Sequence, residues 1–248
     1  MKNYFTPEEI AIVAEGGKIL HDILYTLADL VKPGITGVEL NKVAEQLIHQ
    51  AGAKPAFKGY GQPPYPNALC VSINDCVVHG IATDTPLMDG DIVSLDLGVV
   101  YKEFFTDMAI TVAVGTVAAE TQKLIDVTEE ALKQGLAAIR PGVKTGAVGQ
   151  AIQAYVESHD LAVVREFTGH GVGRAVHQEP SVPNYGKSTE GVILTEGMIL
   201  AIEPMVTQGD WRIEIAKNHW DVHTVDQSLA AHWEQTIAVT KDGCKILT

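Results

Sequence analysis

The chain has 248 residues, 46% hydrophobic and 20% charged, which is typical of one globular domain or of two closely packed halves. Its net charge of −13 argues against a general nucleic-acid binder, because such a protein needs a basic face. Three cysteines (Cys70, Cys76 and Cys244) are too few for a disulfide framework, so we expect a reducing, cytoplasmic setting.

Two helices are predicted at the start of the chain. Residues 6–9, Thr-Pro-Glu-Glu, form a capping box, and Pro33-Gly34 should end the helix that follows. A second capping box at residues 36–39, Thr-Gly-Val-Glu, predicts a helix ended by Gly52. The first ten residues lack the pattern of a signal peptide, and no apolar run of about 18 residues could span a membrane.

The rest of the first half is predicted to be a loop and strands. Residues 56–67 are rich in glycine and proline and should form the loop, and residues 68–78 should form one strand. A hairpin is expected over 91–99 and 105–114. A turn centred between Tyr101 and Lys102 would place Asp96 directly opposite Asp107, although a register with both acids in solvent is the alternative.

The second half is predicted to follow the same order. Helices are expected over 119–140 and from Thr145, and strands near 198–206, 212–216 and 234–240. Residues 169–173, Gly-His-Gly-Val-Gly, should form a glycine-rich turn. Each half therefore runs from helices to antiparallel strands, which predicts an α+β fold.

The sequence also repeats itself. Residues 90–96, GDIVSLD, align with residues 197–203, GMILAIE, and residues 107–112, DMAITV, align with residues 234–239, EQTIAV. The copies lie more than 100 residues apart, too far for a solenoid repeat. We expect a single domain, residues 1–248, made of halves 1–117 and 118–248 about a pseudo-two-fold axis.

The repeat brings an acid into each of four apolar strands: Asp96, Asp107, Glu203 and Glu234. A buried carboxylate is costly unless something neutralises its charge. If the halves pack face to face, the four acids converge, and more than one metal ion would neutralise them. Oxygen-rich sites of this kind suit pairs of divalent ions in hydrolases.

Three of the nine histidines are candidates for function. His170 lies between two glycines, which would let its ring and backbone approach a ligand closely. His79 and His177 each follow a valine after apolar residues, and could donate hydrogen bonds or carry protons beside the acids. The alternative for each is a structural core histidine. No comparable pattern surrounds His159, His219, His223 or His232.

Together these motifs resemble the type I methionine aminopeptidases over nearly the whole chain. The segments that carry the resemblance are residues 65–80, 90–96, 106–107, 168–173, 176–180, 197–205 and 232–234. The resemblance implies the pita-bread fold. It also implies metal-dependent removal of the N-terminal methionine from peptides and nascent chains, with a preference for a small second residue.

The resemblance implies two divalent ions per chain, for which Co(II), Mn(II), Fe(II) and Zn(II) are all compatible. Asp107 and Glu234 would bridge the ions, Asp96 would bind one of them, and His170 and Glu203 would bind the other. Glu203 would also carry the proton during hydrolysis.

The resemblance further implies that His79 and His177 contact the substrate and act in catalysis. The methionine pocket would be formed by Tyr65, Cys70 and Trp220. Gln62, Val176 and Trp233 depart from residues common in the family, which leaves the shape of this pocket open.

Two other functions remain open at this point. Proline-specific aminopeptidases share the fold but usually carry an added N-terminal domain, and some pita-bread proteins are non-catalytic binding modules. The resemblance favours a monomeric cytoplasmic enzyme with transient ribosome contact, and with neither membrane nor nucleic-acid specificity.

Overall fold

The computed structural model describes residues 4–248. Residues 1–3, which belong to the segment assessed above for a signal peptide, lie outside the described residues. Within residues 4–248, no helix combines the length and apolar character needed to cross a membrane.

Four helices form where the sequence predicts them. They are α1 (Pro7–Leu30), α2 (Gly37–Gln50), α3 (Ala119–Ala137) and α4 (Thr145–Glu157). Both predicted capping boxes are present. The side chains of Thr6 and Thr36 accept a hydrogen bond from the backbone N–H of Glu9 and Glu39, and each glutamate side chain accepts one from the backbone N–H of its threonine.

Fifteen strands are found in the described part of the chain. They are β1 (Lys54–Pro55), β2 (Leu69–Ile73), β3 (Cys76–Val78), β4 (Ile92–Tyr101), β5 (Phe104–Ala113), β6 (Ala162–Val163), β7 (Gly169–Gly171), β8 (Gln178–Val182), β9 (Ile199–Ile202), β10 (Met205–Thr207), β11 (Ile213–Ile215), β12 (Val222–Thr224), β13 (Ala230–His232), β14 (Glu234–Thr240) and β15 (Gly243–Ile246).

The main sheet has nine strands drawn from both parts of the chain. Its order is β1-β4-β5-β14-β9-β7-β8, with β2 also on β4 and β15 also on β14. Every pairing in it is antiparallel. Two three-stranded sheets, β13-β10-β6 and β11-β12-β3, accompany it. Helices and antiparallel strands therefore form the expected α+β fold.

One face of the main sheet carries the apolar cores. Leu95 and Leu97 of β4 belong to a cluster with Leu20 and Leu24 of α1, and Leu200 of β9 belongs to a second cluster with residues of α3 and α4. Because side chains alternate along a strand, Asp96 of β4 points to the opposite face. The alternation thus separates the core from the face that carries the acids.

The pair β5–β14 joins the two parts of the sheet. Besides the backbone pairing, two buried threonines bond across this region: Thr236 joins β14 to β5, and Thr111 joins β5 to the end of β13. The Thr236 hydroxyl accepts from the backbone N–H of Asp107 at 3.0 Å and donates to its carbonyl at 2.8 Å. The Thr111 hydroxyl likewise accepts from the N–H of His232 at 2.8 Å and donates to its carbonyl at 2.9 Å.

The predicted register of the hairpin is wrong by two residues. Gly98, rather than Asp96, lies opposite Asp107, and Asp96 lies opposite Ala109. The turn falls between Lys102 and Glu103, whose φ angles of 46° and 70° suit a two-residue hairpin turn. A shift of two residues keeps both acids on the same face, so they still converge.

Three other predicted elements differ in the structure. The strand predicted near 198–206 is two strands, β9 and β10, which belong to different sheets. Residues 68–78 form two strands, because Asn74 (φ 57°) makes a turn and bonds through its side chain to Asp91 and to the N–H of Ile92. Gly169–Gly171 is a strand, not a turn. Its glycines are needed for close approach, since a Cβ at Gly169 would lie 2.5 Å from the Ala201 carbonyl oxygen.

We expect Thr236→Val to destabilise the protein by about 1–3 kcal/mol, because it leaves the buried N–H of Asp107 without its partner. Thr236→Ser keeps the hydroxyl and should recover most of that loss. Urea unfolding of the metal-free proteins measures both. Equal stability of Thr236→Val and the wild type would show that the bridge contributes nothing.

Candidate metal and substrate site

All ten candidate site residues from the sequence line one cavity of about 610 Å³, which is open to solvent on one side. They are Tyr65, Cys70, His79, Asp96, Asp107, His170, His177, Glu203, Trp220 and Glu234.

The floor of the cavity is acidic. Asp107, His170 and Glu234 each present a ligand-type atom, and these three atoms lie within 4.8 Å of one another. Asp96 and Glu203 are buried in the same cavity. The residues come from β4, β5, β7 and β14, and from the residue that follows β9, so the central strands of the main sheet place them.

Several carboxylate oxygens at this floor are buried without a hydrogen-bond partner among residues 4–248. They are Oδ1 of Asp96, Oδ1 of Asp107 and Oε1 of Glu234. Leaving a buried charged oxygen unpaired is costly. Carboxylates with one imidazole are a donor set that suits divalent cations, so the residues fit a metal centre.

His170 is held in an orientation that suits a ligand. Its Nδ1 donates to the Gly171 carbonyl at 3.0 Å, which leaves Nε2 directed into the cavity, 3.2 Å from Oε1 of Glu203. A backbone partner on one ring nitrogen commonly fixes which nitrogen binds a metal.

Burial sets the protonation of the acids. It raises the pKa of Asp96, Asp107 and Glu234, and the neighbouring carboxylates raise the last two further. Burial acts in the same direction on Glu203, but the neighbouring imidazoles of His170 and His232 outweigh it and lower its pKa. The cavity therefore favours the uptake of positive charge.

His79 occupies a strained position on the cavity wall. Its φ of 60° lies in the left-handed region, which is unusual for a residue with a side chain. Residues with such backbone strain occur most often at functional sites. Its ring packs edge-on against Phe167 and Trp220, with centroids 5.4 and 6.1 Å away. Burial lowers its pKa to about 4, so the ring is neutral at pH 7.

His177 lies at the exposed mouth of the cavity. Its Nδ1 is 2.9 Å from the hydroxyl of Tyr60, and its ring centroid is 4.4 Å from that of His170. The two histidines predicted to contact substrate thus flank the acidic floor from different sides.

An aromatic wall faces the acids. Tyr65 and Trp220 pack edge to face with centroids 5.0 Å apart. The Tyr65 hydroxyl donates to the Gly80 carbonyl at 2.8 Å, and the Trp220 indole donates to the Pro63 carbonyl at 3.1 Å. Both polar groups are therefore satisfied, which leaves the ring surfaces available to an apolar side chain.

Sequence reasoning missed several residues of the cavity. Phe57, Tyr60, Phe167 and Met205 line it as well. Tyr60 adds an aromatic ring two residues before Gln62, and its place within the glycine- and proline-rich loop hid it. Val176 packs with Phe57, Tyr65 and Cys70 behind the wall.

His232 was also missed. It is buried at the end of β13 and lines the cavity, with Nε2 3.5 Å from Oε2 of Glu203. The sequence feature that could have indicated its role is its position two residues before Glu234.

Comparisons with known proteins agree with this geometry. The sequence profile of metallopeptidase family M24 matches residues 11–241. The chain is 43% identical to methionine aminopeptidase 1 of Bacillus subtilis over 243 residues, 98% of this chain and 97% of the relative. It is also 43% identical to the methionine aminopeptidase of Mycoplasma capricolum over 244 residues, 97% of this chain and 96% of the relative.

Solved structures give the same result. The crystal structure of methionine aminopeptidase from Rickettsia prowazekii superposes with a TM-score of 0.96 at 40% identity, and covers 99% of this chain and 98% of that one. The prolidase of Pyrococcus furiosus matches at a TM-score of 0.80 and 23% identity, over 99% of this chain but 65% of that one, which shows a shared fold.

We expect a chelator to lower the Tm of the protein and Mn(II) or Co(II) to restore it, because cations neutralise the buried carboxylates. At a hundredfold excess over Kd the stabilisation is about 2.7 kcal/mol, or several degrees for a chain of this size. Asp107→Asn should raise the stability of the metal-free protein and reduce the gain from metal.

Scanning calorimetry with and without metal measures these changes. Asp84→Asn, which alters an exposed acid outside the cavity, is the matched control and should behave as the wild type. A Tm that does not respond to metal would contradict the assignment of the cavity as a metal centre.

Proposed function

The chain belongs to metallopeptidase family M24, and we propose that it removes the N-terminal methionine from peptides and nascent chains in a metal-dependent reaction. The observation that carries this function is a single cavity that joins an acidic metal-binding floor to an aromatic wall. Such a cavity accepts a substrate with a free amino group at one end and an apolar side chain beside it.

For the metal centre, the proposal is two divalent ions held by five side chains: Asp96, Asp107, His170, Glu203 and Glu234. The close group of Asp107, His170 and Glu234 supports it. Asp107 and Glu234 would each help to hold both ions. When bound, the ions supply Lewis acidity and a nucleophilic water at neutral pH. Co(II), Mn(II), Fe(II) and Zn(II) are all compatible with this donor set.

Glu203 is the proposed proton carrier. It accepts the proton of the attacking water and returns it to the leaving amine, so the amide bond is cleaved with no net change at the enzyme. Its place in the cavity beside the proposed ligands, with Oε1 3.2 Å from Nε2 of His170, supports this role.

His79 and His177 are the proposed substrate contacts. Both rings face the cavity from outside the close metal-type group, and each can donate a hydrogen bond to the peptide. Stabilisation of the charge that develops on the scissile carbonyl oxygen is the catalytic effect assigned to them.

The proposed methionine pocket is formed by Tyr65, Cys70 and Trp220. Phe57, Phe167 and Met205 extend its apolar surface. A flexible, polarisable methionine side chain makes favourable contacts with aromatic rings. Crowding beyond the scissile bond would favour a small second residue.

Residues 1–248 are proposed to form one catalytic domain, with halves 1–117 and 118–248. The nine-stranded sheet, which takes strands from both halves, supports this. We also propose a cytoplasmic monomer that meets nascent chains by transient ribosome contact. Three free cysteines support the cytoplasmic setting.

We expect the holoenzyme to cleave Met-Ala-Ser but not its N-acetylated form, because acylation removes the free amine that the acidic floor favours. The loss should reach at least about 10²-fold in kcat/KM, on the scale of one essential polar contact. Ala-Ala-Ser is the control for the methionine pocket. Preference for any Xaa-Pro bond without regard to methionine would instead support a proline-specific aminopeptidase.

Substitution of the three site histidines should have two different effects on metal binding. His79→Ala and His177→Ala should keep two bound ions while losing about 10²–10³ in kcat, as expected when one stabiliser of a developing charge is removed. His170→Ala should weaken one metal site directly. Calorimetric metal titration beside peptidase rates tests this, and loss of an ion in His79→Ala would refute the division.

A further inference from the structure

His232 has no task in the reaction as described, yet it lies in the same cavity. Its side chain is only 2% exposed. Among residues 4–248, neither of its ring nitrogens makes a hydrogen bond of ordinary length. Buried polar groups are nearly always paired, so a buried imidazole directed into a functional cavity calls for an explanation.

The backbone around this ring is firmly held. The Thr111 hydroxyl of β5 bonds to both the N–H and the carbonyl of His232, at 2.8 and 2.9 Å, and so ties the end of β13 to the main sheet. The ring is therefore carried by a rigid part of the sheet rather than by a loop. Within the described chain, Glu203 is the acid within 4 Å of its nitrogens, with Oε2 3.5 Å from Nε2.

Glu203 thus lies between two imidazoles, one on each carboxylate oxygen. Oε1 is 3.2 Å from Nε2 of His170, and Oε2 is 3.5 Å from Nε2 of His232. Hydrogen bonds to the free atoms of metal ligands commonly orient those ligands and strengthen metal binding.

We propose that His232 is a positioning residue for Glu203: its Nε2–H donates to Oε2 and holds the carboxylate so that Oε1 faces the metal-binding group. The inference rests on the proposed role of Glu203 as a ligand and proton carrier. His232 is not one of the five proposed ligands; its Nε2 instead faces Oε2 of Glu203, 3.5 Å away.

The test is calorimetric titration of Mn(II) into the metal-free full-length protein. His232→Leu removes the donor while keeping apolar volume, and should weaken metal binding by about 10–100-fold. His232→Gln retains a side-chain N–H that can reach Glu203 and should recover most of the affinity. If His232→Leu does not fold, His232→Asn, whose shorter amide does not reach Glu203, takes its place.

His223→Leu is the matched control. Its imidazole also faces a carboxylate, with Nδ1 3.1 Å from Oδ2 of Asp75, but it lies on β12 and does not line the cavity. We expect its metal affinity to equal that of the wild type.

A double-mutant cycle shows whether His232 acts through Glu203. In a Glu203→Gln background, His232→Leu should cause no further loss of metal affinity, because the carboxylate that it positions is gone. Unchanged affinity in His232→Leu alone, failure of His232→Gln to recover it, or an additive loss in the double variant would each overturn the proposal.

Peptidase assays on the same proteins separate this inference from the proposed function. When all the proteins are saturated with metal, His232→Leu should have a lower kcat for Met-Ala-Ser than the wild type. The kcat of His232→Gln should be close to that of the wild type. If the loaded wild type does not cleave Met-Ala-Ser, the proposed function fails, while the metal titrations still decide whether His232 positions Glu203.

Discussion

The structure depends on the burial of four carboxylates in one cavity. Asp96, Asp107, Glu203 and Glu234 are each less than a tenth exposed, and no lysine or arginine of the described residues lines the cavity. Like charges at such distances repel, and burial removes the water that would screen them. The energetic cost explains why the donor set is completed by cations, and why the surrounding sheet must be rigid enough to hold the acids in place.

The rigidity comes from the seam at the centre of the sheet. β5 and β14 bring an acid from each part of the chain to one face, while the opposite face is anchored to the helices through the apolar cores. The reciprocal bonds of Thr236 fix the backbone of Asp107 across this seam, and those of Thr111 fix the backbone of His232 at the end of β13. Functional side chains on strands are held in a better defined position than those on loops.

The lining of the cavity changes from charged residues at its floor to aromatic and histidine side chains at its wall and mouth. The acids and His170 lie on the sheet, the strained His79 and the Tyr65–Trp220 pair form the wall, and His177 with Tyr60 lies at the opening. The order matches a peptide that enters with its amino terminus first. A free amine can reach the acids while the first side chain contacts aromatic rings. Exopeptidase specificity therefore follows from the shape and charge of the cavity together.

Local features of the sequence were sufficient for much of this result. Capping boxes at Thr6 and Thr36 placed the first helices, since a cap is decided by residues a few positions apart. The repeated acids in apolar strands indicated a shared buried face, because side-chain alternation depends only on parity along a strand. That parity is unchanged by a two-residue error in the hairpin register, so the two acids lie on the predicted face although the predicted direct pairing of Asp96 with Asp107 was wrong.

Only the tertiary structure decided the features that depend on contacts between distant residues. Gly169–Gly171 became a strand because β8 and β9 flank it, and neither neighbour is visible in a local pattern of glycines. Tyr60 reaches His177 across more than a hundred residues of sequence, and His232 reaches Glu203 across the meeting of two strands. The sequence by itself thus determined which chemical groups the site contains and on which face they lie. The packing of the two parts of the sheet decided their distances and partners, because those depend on backbone positions that no short segment specifies.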